Sequence, residues 1–165
     1  MKPRIYIIAG AIIAFLIITL ALFVILPSMS TDVSAKFNKA GALYSESVDL
    51  ANEGKYEEAL KAADDALALD VPQLVPLIQS NRAGILVMLG RNREAITAAD
   101  AALSSNENLT TVFSIAYFNK GNALKNLGRI DEAKAAYEKA YELDKSLVPP
   151  DLSEDVLTPT KTPLP

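Results

Sequence analysis

The residues best placed for specific chemistry in this sequence are amides and aromatics at helical spacing. Ile115, Phe118, Asn119 and Asn122 fall at i, i+3, i+4 and i+7, so a helix through them puts all four on one face. A carboxamide both donates and accepts, which suits it to a peptide backbone, and a ring beside it supplies apolar contact. The chemistry implied is recognition by hydrogen bonding and burial. A second reading, in which the rings belong to the core and the amides are merely solvated, stays open from spacing alone.

Bond-making chemistry has no comparable support. The chain contains no His and no Cys, which removes the commonest general base, the thiol nucleophile and the thiolate metal site. No Gly-rich phosphate loop and no convergent set of carboxylates at metal-ligand spacing is present. The chain is therefore read as a non-enzyme, with no catalytic residue, no metal and no cofactor assigned. Lys2 and Arg4 precede a long apolar block, and 14 basic against 20 acidic residues follow it. That surface is unsuited to nucleic acid, which needs a clustered basic patch.

The elements that would position such a face repeat three times. Gly54-Lys55-Tyr56-Glu57-Glu58-Ala59, Gly90-Arg91-Asn92-Arg93-Glu94-Ala95 and Gly128-Arg129-Ile130-Asp131-Glu132-Ala133 share a glycine, a basic residue, two variable positions, Glu and Ala. The alanines lie 36 and 38 residues apart. Apolar residues recur at spacings of three and four before each glycine, as do small ones after it: Ala59, Ala63 and Ala66, then Ala95, Ala99 and Ala102. The glycine predicts a left-handed helix stop, and the acids beyond it suit the first turn of the next helix. The unit is a helical hairpin, and three of them can stack to bury what one cannot.

On these residues the sequence resembles the tetratricopeptide-repeat (TPR) family. The third copy fits best, with Tyr117, Gly121, Leu124, Ala133, Tyr137 and Ala140 in register. The resemblance covers about residues 36–145 and implies an all-α, right-handed superhelical stack of three hairpins, at about 36–70, 73–106 and 109–145. Gly54, Ala59, Gly90, Ala95, Gly121, Gly128 and Ala133 are its structural signature. Spacings beyond the usual period place longer turns around Val71-Pro72 and Ser105–Leu109. The resemblance also implies a concave groove lined by the first helix of each hairpin. Tyr44, Leu77, Asn81, Phe118, Asn119 and Asn122 are the candidates there to hold a partner peptide or protein. One family subtype clamps a partner's C-terminal carboxylate with Lys, Asn and Arg. Asn81 matches that pattern, but Tyr44, Ile115 and Asn119 stand at the basic positions, so no such clamp is expected.

The flanks complete the reading. Ile5–Leu26 is an uncharged run of 22 residues, about 33 Å as a helix, which is enough to span a bilayer core. It is read as a transmembrane anchor ended by Pro27. Lys2 and Arg4 place residues 1–4 in the cytoplasm and the repeats outside. A cleaved signal peptide releasing a secreted repeat protein is the alternative, with Val33-Ser34-Ala35 as the cut site. Residues 27–35 read as a polar linker. Residues 146–165, rich in Pro and Thr, read as a disordered tail. With no polar capping helix after it, the third hairpin is expected to leave apolar surface for a partner, a second copy or the tail. The function implied is a membrane-anchored adaptor or assembly scaffold. A structural subunit that assembles through its anchor or its terminal repeat is the alternative.

Overall fold

A computed structural model of the chain describes residues 32–107 and 109–152. The apolar run 5–26, the preceding residues 1–4 and the tail beyond 152 lie outside them. Among the described residues, no helix is long and apolar enough to cross a membrane. The chain divides between Lys39 and Ala40 into two units.

In the first unit, the described residues 32–39 are helical and exposed throughout. Helix is therefore present at 32–35, inside the stretch expected to be a linker. No Pro or Gly lies between Asp32 and Ala40 to stop it.

The described part of the second unit is six helices with no strand. They are α1 (residues 40–52), α2 (Tyr56–Leu67), α3 (Val75–Met88), α4 (Asn92–Leu103), α5 (Thr110–Asn126) and α6 (Ile130–Leu143). The turn inside each hairpin is the same. Gly54, Gly90 and Gly128 have φ of +77°, +72° and +73°. The N–H of Gly90 donates to Val87 O at 3.0 Å and that of Arg91 to Leu86 O at 2.9 Å. The same pair of bonds recurs at Gly54 and Gly128. This is a Schellman stop, which satisfies the last carbonyls of one helix before the next begins.

The basic residue after each glycine is the N-cap of the next helix, and its side chain does not cap the backbone. Arg91 and Arg129 instead fork onto Glu94 and Glu132 through two bonds of 2.6–2.7 Å each. In the second and third copies the Gly-basic-x-x-Glu pattern is therefore a helix stop followed by a local charge clasp, whereas in the first Lys55 pairs with Glu53 at 2.7 Å.

Packing follows from side-chain size. Ala59, Ala63 and Ala66 on α2, then Ala95, Ala99 and Ala102 on α4, then Ala133 and Ala140 on α6, are all 0–1% exposed. A methyl stripe lets a helix lie close to its neighbours, while Ile78, Leu86, Leu124 and Tyr137 fill the space between. Among these helices α3 touches α5 directly, and each of α2, α4 and α6 touches the helices of the other layer beside it. The backbones of α2, α4 and α6 stay further apart, although Ala59 and Leu60 share a core cluster with Ala95, Ala98 and Ala99. The layer of α1, α3 and α5 is thus the tight inner side of a curve.

After α6, Ser146 donates from its N–H and its hydroxyl to Asp144 Oδ1, which folds the chain back. Leu152 is 5% exposed and joins the cluster of Leu124, Ala133, Ala136 and Tyr137. Within the expected disordered tail Leu152 is therefore packed, while Ser146, Val148 and Asp151 stay exposed. Pro149-Pro150 keeps the segment out of a helix, and Leu152 is buried against the apolar surface of the third hairpin.

Candidate peptide-binding face

The six face candidates all lie on the inner layer. Tyr44 is on α1, Leu77 and Asn81 on α3, and Phe118, Asn119 and Asn122 on α5, and each is half-buried. The Asn81 side chain donates from Nδ2 to Ser47 Oγ at 2.9 Å. Ser47 is fully buried, and its hydroxyl donates onward to the carbonyl of Ala59 at 2.8 Å. Asn119 Nδ2 donates to the carbonyl of Ser80 at 3.1 Å. Two of the three amides thus spend a donor tying one inner helix to the next. The third, Asn122, accepts the hydroxyl proton of Tyr137 at 2.8 Å, within its own hairpin.

The aromatics are also partly structural. Phe118 meets Tyr137 edge-on, with centroids 5.4 Å apart and an interplanar angle of 62°. Tyr44 packs against the cluster of Ala63, Ala66 and Ile78. Burial pushes its phenol above the ordinary value, so it stays a neutral donor. Among the large apolar side chains, the inner layer leaves Met88 59% exposed and Ile115 43%, while α1 also exposes the acids Glu46 and Asp49. The six candidates carry no formal charge. Among the described residues no cluster of acids could hold a metal ion.

Two residues that shape this face are not legible from its own spacing: Ser47 and Ser80 are buried polar groups in the inter-helix contacts. Gly121, part of the expected signature, makes room for a ring. A Cβ on Gly121 would stand 2.7 Å from both Cδ1 and Cε1 of Tyr137. The small residue expected at this position is therefore required by the aromatic that the same pattern places on α6.

Residues 115–147 match the family model of the tetratricopeptide repeat. The fold is a TPR fold. Over 89 residues the chain is 34% identical to a protein STIP1 homolog of Dictyostelium discoideum, covering 54% of this chain and 15% of that relative. It spans well under half the length of that curated protein. The first TPR of Spaghetti (RPAP3), solved bound to the HSP90 peptide SRMEEVD, is similar at 28% identity and a TM-score of 0.56. That match covers 66% of this chain and 81% of the other. A TPR-like protein of Chlorobium tepidum TLS shares the fold at 20% identity and a TM-score of 0.60, over 76% of this chain and 90% of its own.

Against that TPR background the inter-hairpin contacts acquire a register. Asp64 lies ten residues after Gly54, and Asp100 ten after Gly90; Arg82 lies eight before Gly90, and Lys120 eight before Gly128. Arg82 Nε meets Asp64 Oδ1 at 2.6 Å, and Lys120 Nζ meets Asp100 Oδ1 at 2.6 Å. One acid on each of α2 and α4 thus meets one base on the following inner helix. Aligning the three glycines would reveal this pairing in the sequence.

Proposed function

We propose that the chain is a membrane-anchored adaptor that holds an uncharged, largely apolar segment of a partner protein on the face shared by α1, α3 and α5. The exposure of Met88 and Ile115 on the inner layer is the observation that supports it most. Large side chains left open beside amides held in place form a surface that gains by being covered. The amides keep acceptor oxygens for a visiting backbone, because the bonds made by Asn81 and Asn119 use their nitrogens. The anchor in this reading is the apolar run 5–26, with the repeats on the extracytoplasmic side.

The Spaghetti TPR binds a peptide ending in two glutamates, a valine and an aspartate. The present face has Tyr44, Ile115 and Asn119 where the resemblance asks for basic side chains. Without charge-assisted donors an acidic terminus would lose more on desolvation than it gains. A neutral partner segment fits better.

Photocrosslinking in cells tests this reading. A photoreactive residue at Ile115 or at Met88 should capture the same protein, and one at Arg93, exposed on the outer helix α4, should not. Equal capture from Arg93, or different proteins from Ile115 and Met88, would overturn it.

A further inference from the structure

The pairing of acid and base between hairpins stops at both ends of the array, and the two ends do not match. In the third hairpin the equivalent acid is Glu138, ten residues after Gly128. It is exposed, and no salt bridge to it forms among the described residues. Along the same outer helix, Leu60 and Ile96 of the first two hairpins are replaced by exposed Lys134, and Leu67 and Leu103 by Tyr141. Tyr141 is 39% exposed, with Lys145 Nζ 4.2 Å above its ring. Leu152 covers part of this hairpin and leaves Glu138 and Tyr141 open.

At the other end, the position of Arg82 and Lys120 is taken in the first hairpin by Glu46. The neighbouring positions go the same way. Where α3 buries Ile85 and half-buries Leu89, α1 and its turn present Asp49 and Glu53, both exposed. A second copy stacked head to tail would set Glu46 against Glu138 and bring Asp49 and Glu53 onto the seam. Like charges in that geometry repel, and unpaired carboxylates lose solvation.

We propose that the free edge of the third hairpin, around Glu138 and Tyr141, docks a helix of another protein. That helix presents a basic side chain flanked by apolar ones, as α3 does with Arg82, Ile85 and Leu89, and the chain's own first hairpin is built to be refused there. Charge complementarity decides the occupant. The edge repeats an acid that takes Arg in one seam and Lys in the next, and the chain's own leading face puts Glu46, Asp49 and Glu53 at the matching positions, with Glu53 bridged to Lys55.

The test gives the full chain, in detergent, the leading face that the edge should accept. The variant Glu46→Arg/Asp49→Ile/Glu53→Leu copies the α3 side chains onto α1. In sedimentation it should self-associate at least about tenfold more tightly than the wild type, and adding Glu138→Arg should reverse about fivefold or more of that gain. Glu138→Arg alone, which faces the native Glu46 with a base, should also associate more tightly than wild type. The proposal is overturned if the wild type associates as strongly as the triple variant. It is equally overturned if Glu138→Arg leaves the triple variant's association unchanged, or if neither single nor triple variant gains.

Discussion

The Asn81 amide reaches across from α3 to the buried hydroxyl of Ser47 on α1, and that hydroxyl hands its own proton to the Ala59 carbonyl on α2. Three helices are joined through one oxygen. Removing it strands a donor and a carbonyl in a site with no solvent, and an unsatisfied buried group costs about 1–3 kcal/mol. Ser47→Ala should destabilise by that amount in urea unfolding. Asn81→Ala should cost less alone, and the double variant should cost less than the sum of the two, because both act on one network. Additive costs would mean that the relay is not an energetic unit.

Gly121 and Gly41 are both helical glycines with opposite expected responses. A methyl at 121 collides with the Tyr137 ring at 2.7 Å, whereas one at 41 meets nothing within 4 Å. Gly121→Ala should lower stability by about 1–3 kcal/mol through overpacking. Gly41→Ala should raise it by about 0.4–1 kcal/mol by restricting the unfolded chain. Thermal melts of the two variants should shift in opposite directions.

The charge clasp after the second and third turns has a pH signature. The Arg91 fork holds the Glu94 carboxyl below the ordinary carboxylate value, and Arg129 does the same to Glu132. A depressed folded value means that the contribution is present above the unfolded carboxylate range and is lost as pH falls through the folded value. Both groups are exposed, so the effect on stability is small. The clean readout is local. In Arg91→Gln the Glu94 side-chain carbon resonance should titrate at higher pH than in wild type, with Glu132 unmoved.

What was legible in the sequence is what is local. The three glycine stops and the Ala stripes depend on residues within a turn or two of one another, and the Schellman bonds and buried methyls lie where the spacing puts them. The face was legible only as a set of positions. Its amides point partly at neighbouring helices, because Asn81 and Asn119 find partners 34 and 39 residues away. No spacing within one helix encodes such a partner. Leu152 escaped for a related reason: the Pro-rich composition around it argues against secondary structure, yet a single Leu can be buried without any.

Membrane topology is open to a direct test, because the chain contains no Cys. Arg93→Cys places one thiol on an exposed site of α4. With the repeats outside and the run 5–26 anchoring them, a membrane-impermeant maleimide added to intact cells should label that thiol, and the label should remain with the membrane fraction. Labelling only after lysis would put the repeats on the cytoplasmic side, and label recovered in the medium would point to cleavage.

If the face prefers uncharged segments, as proposed, that preference should be convertible. Tyr44, Ile115 and Asn119 occupy the positions where the resemblance places basic side chains, and Asn81 is already of the matching type. In fluorescence anisotropy the peptide SRMEEVD should show little binding to the wild-type chain. Tyr44→Lys/Ile115→Lys/Asn119→Arg should gain at least about tenfold, since charge-assisted bonds to carboxylate are roughly twice as strong as neutral ones. That gain should fall as salt rises. Asn119→Arg also removes the bond to the Ser80 carbonyl, so the variant should melt somewhat lower while binding better. Tight binding of the peptide to the wild type would show that the neutral face reads acidic termini by other means, and would sink the preference for an uncharged partner.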